Sequence, residues 1–325
     1  MRTYHMSFSW ILSWFIQSSD RSLLERVMFC SVTTVPCCVF LFVNCTMLFS
    51  LRSKLVFRDT CRYVLLYNLL LADTVQLVVS QILYILVALS LRLTYPVCAF
   101  FITLSSIVLR ISPLTLVVMS FDRYVAVCYP LRHATIVTMG KTRGAICVIW
   151  AICSVTVFMY ISLLRENPFE GLDSLQIKRT CSVENMLLSP VAAMFDKVYE
   201  FTLFISAGVS ISFSYIGVLV AARSASTDKV SARKAHKTLL LHLVQLALSL
   251  SSTMFKPLLG VMSQLIDRIT LVRISILFYV CVIMLPRCLS SLIYGLGDQT
   301  IRPVRALTNV PQYRTTKFQT LKLQA

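Results

Sequence analysis

The sequence predicts an all-α membrane protein, a seven-transmembrane helix bundle with its N-terminus extracellular and its C-terminus cytoplasmic. Three observations carry this. Of 325 residues, 57% are hydrophobic and only 14% charged, and mean hydropathy is +0.76. Soluble domains carry about a quarter charged residues, so this apolar excess calls for lipid as its solvent. Seven apolar runs are long enough to cross a bilayer. The basic residues gather in alternate loops.

The runs follow one another along the chain. Residues 28–51 contain no charged side chain, and residues 63–91 contain one, Asp73. Residues 93–121 contain Arg110 alone, while 144–164 and 201–222 contain none. Residues 238–255 contain none and extend through Lys256; residues 274–297 contain Arg287 alone. A helix of about 20 largely apolar residues spans the hydrocarbon core. Helices are the natural choice because every backbone group is then satisfied within its own segment. The sixth run is the weakest, being short and serine-rich at Ser249, Ser251 and Ser252.

Loop charge sets the orientation. The segments 52–62, 123–143, 223–237 and the tail after Gly297 carry 18 Lys and Arg; the N-terminus and the alternate loops carry 11. The richer set belongs in the cytoplasm. The chain then divides into an extracellular segment 1–27, a membrane domain 28–298 and a cytoplasmic tail 299–325. Residues 6–16 are a short apolar stretch without a clean small-residue cleavage site after it, so an uncleaved N-terminus is favoured over a signal peptide.

Several function classes are disfavoured. The net charge of +17 is spread between apolar runs rather than over one basic face, so membrane lipid, not nucleic acid, is the expected surrounding. His5, His133, His236 and His242 form no metal-ligand spacing, and no phosphate loop or nucleophile motif occurs. No metal, no cofactor and no enzymatic chemistry are expected. A channel or transporter needs polar stripes or broken helices at the midplane, and Asp73, Arg110 and Arg287 are too few and scattered for that. Most of the 12 cysteines lie within the apolar runs as small fillers. Cys98 and Cys181 differ: one opens the third run and the other is alone in the long loop 165–195. Both face an oxidising compartment in this orientation.

The most specific phrase is Met119-Ser120-Phe121-Asp122-Arg123-Tyr124-Val125-Ala126-Val127-Cys128-Tyr129-Pro130-Leu131. It places an Asp-Arg pair where an apolar helix meets the cytoplasm. The phrase resembles the end of the third helix in rhodopsin-like, G-protein-coupled receptors, and in its longer form the olfactory (odorant) receptors. Asn44, Leu-Ala-Asp ending at Asp73, Trp150, Ser214-Tyr215-Ile216 and the Lys-Ala-x-x-Thr-x-x-x-His-Leu phrase from Lys234 to Leu243 extend the resemblance over roughly residues 37–302.

That resemblance implies roles for particular residues. Asp122, Arg123 and Tyr124 form a switch at the G-protein face, in which the aspartate holds the arginine at rest. Tyr215, His242 and Tyr294 join the switch, although a buried His242 reads equally well as a core residue. Asn44, Asp73, Ser112 and Ser290 form an internal polar network that in relatives sometimes holds Na⁺; a plain interhelical clamp explains Asn44 and Asp73 as well. A Cys98–Cys181 disulfide is implied over the mouth of the bundle. A small-molecule odorant is implied between helices three, five, six and seven, touching Ser105, Ser106, Leu109, Arg110, Tyr199, Glu200, Lys256 and Tyr279. Ser105 stands where amine receptors carry an aspartate, which disfavours a cationic amine. Two readings of Arg110 stand side by side: a structural pair with Glu200, and a contact to an acidic or strongly polar ligand. A heterotrimeric G protein is the implied cytoplasmic partner, and the plasma membrane the location.

The seventh run departs from the family. Ser290-Ser291-Leu292-Ile293-Tyr294 replaces Asn-Pro-x-x-Tyr. The tyrosine is kept, but loss of the proline restores a backbone donor and weakens the kink. Arg287, one turn earlier, is a candidate partner for Asp73. These departures and the plain extracellular loop resemble the fish-type olfactory-receptor-like branch.

Overall fold

The structure, a computed structural model, describes residues 23–88, 94–165, 190–224, 268–289 and 291, with scattered helical positions between 240 and 265. Long helices dominate the described residues. They are α1 (Leu23–Ser53), a short α2 (Leu55–Arg58), α3 (Cys61–Ala88), α4 (Tyr95–Cys128), a 3₁₀ turn (Pro130–Arg132), a one-turn α5 (His133–Ile136), α6 (Met139–Arg165), α7 (Pro190–Ser224) and α8 (Arg268–Phe278). A π-helical segment, Tyr279–Met284, continues α8, and α-helix resumes through Leu289.

Five described helices are long and apolar enough to cross a membrane, and a shorter apolar helix, Ile276–Leu289, stands in the seventh run. α1, α3, α4, α6 and α7 thus occupy the first five predicted runs. The sixth run, 238–255, falls almost wholly outside the described residues.

The helices overrun the apolar runs that predicted them. α4 has 34 residues and α7 has 35, or roughly 50 Å each at 1.5 Å per residue, against a hydrocarbon core of about 30 Å. α4 therefore carries Asp122 and Arg123 within the helix and stops only before Pro130, whose ring denies the preceding residue helical backbone angles. Tyr129 has left the helix, at φ −132° and ψ 57°.

α3 and α4 are the inner helices. Their apolar windows bury about twice the share that those of α1 and α6 do. α4 packs against α3, α6 and α7, and α3 also packs against α1. Leu65, Leu66, Leu69 and Leu70 of α3 meet Leu116 and Met119 of α4 and Ile211 of α7 in one buried cluster. The opposite faces carry Phe42, Phe49, Phe158 and Phe213, all exposed, as befits helices whose solvent is lipid.

The seventh run is not a uniform α-helix. The π segment ends two residues before the buried Pro286. Wider turns change the phase of a helix, and such segments recur at functional positions.

Candidate functional site

Three polar clusters lie along the inner helices. The first is at mid-bundle. Asp73 and Arg287 are each 2% exposed, and Arg287 Nη1 donates to Asp73 Oδ1 at 2.8 Å. Ser112 Oγ of α4 donates to the same oxygen at 2.7 Å. Asn44 of α1 donates through Nδ2 to the Arg287 carbonyl at 3.2 Å, and Ser291 Oγ donates to Asn44 Oδ1 at 2.5 Å. Four helices are joined by one charge pair and its hydrogen bonds. The structure thus makes the Asp73–Arg287 pairing. It also brings in Ser291, which the sequence did not single out for this network; the expected Ser290 lies outside the described residues.

The second cluster closes α4. Asp122 Oδ1 faces His133 Nε2 at 3.1 Å, whereas Asp122 Oδ2 is 3.9 Å from Arg123 Nε. A carboxylate only accepts, so Nε2 carries the proton in this contact. The expected Asp122–Arg123 clasp is therefore the looser of two. The 3₁₀ turn at Pro130–Arg132 folds the chain back and brings His133 to a residue eleven positions earlier. Tyr124 packs on Gly217 of α7 so closely that a Cβ at 217 would enter its ring. Cys128 Sγ approaches the Gly217 carbonyl at 3.6 Å. Tyr215, half-buried, lies two residues before that contact.

The third cluster lies towards Cys98. Arg110, 9% exposed, sets its guanidinium 4.9 Å from the ring centroid of Tyr199. α4 and α7 thus bring together two expected site residues by a cation–π contact. Glu200, the expected partner, has no described side chain. Ser105 bonds Gln76 of α3 through its hydroxyl at 3.1 Å, and Gln76 also reaches Ser80 at 3.1 Å. Ser106 and Leu109 are half-buried on α4. Tyr279 stacks on Tyr84 at 5.6 Å, in a cluster with Cys37 and Leu77. These contacts tie it to α1 and α3. Cys98 is fully buried and disulfide-bonded. Cys181, His242, Lys256 and Tyr294 lie outside the described residues.

Between the first two clusters, Trp150 Nε1 donates to Asn68 Oδ1 at 2.9 Å, and Asn68 Nδ2 donates to Thr115 at 3.0 Å. This ties α6 to α3 and α4. Sequence reading missed Asn68, Gln76 and His133. A buried amide in an apolar run and a histidine just after a proline turn were the available signals.

The 7 transmembrane receptor (rhodopsin family) profile matches residues 43–294, a stretch that includes all three clusters. The chain belongs to the rhodopsin family of receptors. It is similar to Odorant receptor 131-2 of Danio rerio, 31% identical over 80% of this chain and 79% of that one. It is also similar to human Olfactory receptor 2S2, 32% identical over 39% of this chain and 41% of the relative. Growth hormone secretagogue receptor type 1 of Homo sapiens is 36% identical over 21% of this chain and 19% of its own. The olfactory, fish-type resemblance read from the motifs therefore stands, with one fish relative covering most of the chain. A rhodopsin-family receptor is a multi-pass protein of the plasma membrane and not an enzyme.

Proposed function

We propose that this receptor is chemosensory: it binds a small odorant in the half of the bundle near Cys98 and activates a heterotrimeric G protein at the Asp122–Arg123 end. The observation that carries the reading is α4 itself. One helix bears Ser112 in the first polar cluster, Asp122 with Arg123 in the second and Arg110 in the third. A ligand that favours one arrangement of this helix favours the G protein that recognises it, and the coupling runs equally in both directions. The likeness to odorant receptors supports the ligand class.

In this reading Ser105, Ser106, Leu109, Arg110, Tyr199, Glu200, Lys256 and Tyr279 line or support the ligand site. Asp122, Arg123, Tyr124, Tyr215, His242 and Tyr294 make the switch. Asn44, Asp73, Ser112 and Ser290 belong to the internal network, and a Cys98–Cys181 bridge holds the outer loop. The N-terminus is extracellular, residues 28–298 form the membrane domain, and 299–325 form the cytoplasmic tail. Arg110 and Lys256 favour a carboxylate or another strongly polar odorant through charge-assisted hydrogen bonds.

The test is a cAMP and calcium assay in cells expressing the chain, with surface level measured, against volatile and water-soluble panels that include carboxylates. A response in wild type that disappears in Arg123→Ala at equal surface level is the expected result. An equal response in both overturns the mechanism.

A further inference from the structure

We propose that Arg287 is a tethered cation: its guanidinium occupies the cation position of a site built by Asp73 and Ser112, so the receptor core needs no dissolved ion. The inference starts from the cost of charge. An ionised carboxylate at 2% exposure inside a membrane bundle is costly alone, and a positive partner offsets that cost. Here that partner is covalently part of the chain, 214 positions away, and at 2.8 Å it sits in direct hydrogen-bonding contact.

The geometry closes the site against a competitor. Asp73 Oδ1 already accepts from both Arg287 Nη1 and Ser112 Oγ. The Arg287 backbone is itself held, because its carbonyl accepts from Asn44, whose own carbonyl accepts from Ser291. Arg287 is thus held at both ends, by its guanidinium on α3 and by its backbone on α1. The π segment and Pro286 precede it directly and set the phase at which the side chain enters the bundle. Once the guanidinium is removed, the buried Asp73 carboxylate remains with the Ser112 hydroxyl on its Oδ1. Hard cations favour such all-oxygen surroundings.

The inference does not rest on the chemosensory reading, and its test needs neither odorant nor G protein. The full chain is purified in detergent, and its melting temperature is followed while NaCl replaces N-methyl-D-glucamine chloride at constant ionic strength. Wild type and Arg287→Lys, which keep a tethered charge, are expected to melt at the same temperature in both salts. Arg287→Leu is expected to melt lower in N-methyl-D-glucamine chloride and to recover saturably with Na⁺. The double variant Asp73→Leu/Arg287→Leu, with no charge to compensate, is expected to show no dependence on Na⁺. A saturable rise of the wild-type melting temperature with Na⁺ overturns the proposal, even if no variant folds. So does an Arg287→Leu protein as stable without Na⁺ as wild type.

Discussion

His133 lies closer to Asp122 than Arg123 does, 3.1 Å against 3.9 Å. The histidine belongs to a turn outside the membrane helices, and the arginine is the aspartate's own neighbour in α4. His133 and Arg123 share one carboxylate, so the turn after Pro130 bears on how tightly Arg123 is held.

Substituting His133 therefore changes the resting state. His133→Phe hands Asp122 back to Arg123 and is expected to lower ligand-independent cAMP signalling by roughly two- to fivefold, since a partly exposed ion pair contributes up to about 1 kcal/mol. Asp122→Asn is expected to raise it. Basal cAMP normalised to surface receptor checks both, and a rise in His133→Phe would sink the competition argument.

Gly217 and Tyr124 are a matched pair. A methyl group at 217 enters the Tyr124 ring, so Gly217→Ala is expected to destabilise the receptor by about 1–3 kcal/mol, the usual cost of overpacking. Tyr124→Leu in the same chain makes room and is expected to restore much of the loss. Melting temperatures of the single and double variants read the effect; without rescue, the clash is not the cause.

Trp150, Asn68 and Thr115 form a relay across three helices. Trp150→Phe leaves the Asn68 carbonyl without its donor. A double-mutant cycle of Trp150→Phe and Asn68→Leu is expected to give a coupling of about 0.6–1.7 kcal/mol, the range found for hydrogen bonds between membrane helices. Additive effects would assign both residues to packing alone.

Arg110 and Tyr199 separate a charge from its support. With a carboxylate agonist, Arg110→Ala is expected to abolish the response at preserved surface level. Tyr199→Leu removes only the stacked ring and is expected to raise the half-maximal concentration roughly two- to thirtyfold, matching about 0.5–2 kcal/mol for a cation–π contact. Dose–response curves of the two variants distinguish these outcomes, and an unchanged curve for Arg110→Ala would remove it from the ligand site.

Much of the fold was legible because lipid imposes a simple rule on sequence. Long apolar runs with at most one charge marked α1, α3, α4, α6 and α7, and the lone charges Asp73, Arg110 and Arg287 within such runs prove buried. The demand that a buried charge find a partner was enough to nominate Asp73 for Arg287. The contact of His133 was not legible, because it depends on the angle at which the chain turns after Tyr129. Nor was the π segment, which has no composition of its own: Tyr-Val-Cys-Val-Ile-Met reads as ordinary apolar helix. The Asn68 relay was hidden for a related reason. A single amide in a leucine-rich run gives no direction, and only the approach of α6 shows which helix it serves.

The pairing of Asp73 with Arg287 also bears on where such a protein can work. A sensor exposed to outside water meets a medium whose salinity it does not control. If its resting balance were set by an ion drawn from that medium, a change of water would shift the baseline against which every stimulus is measured. With the counter-ion written into the polypeptide, the proposed tether keeps that baseline the same whatever salt lies outside.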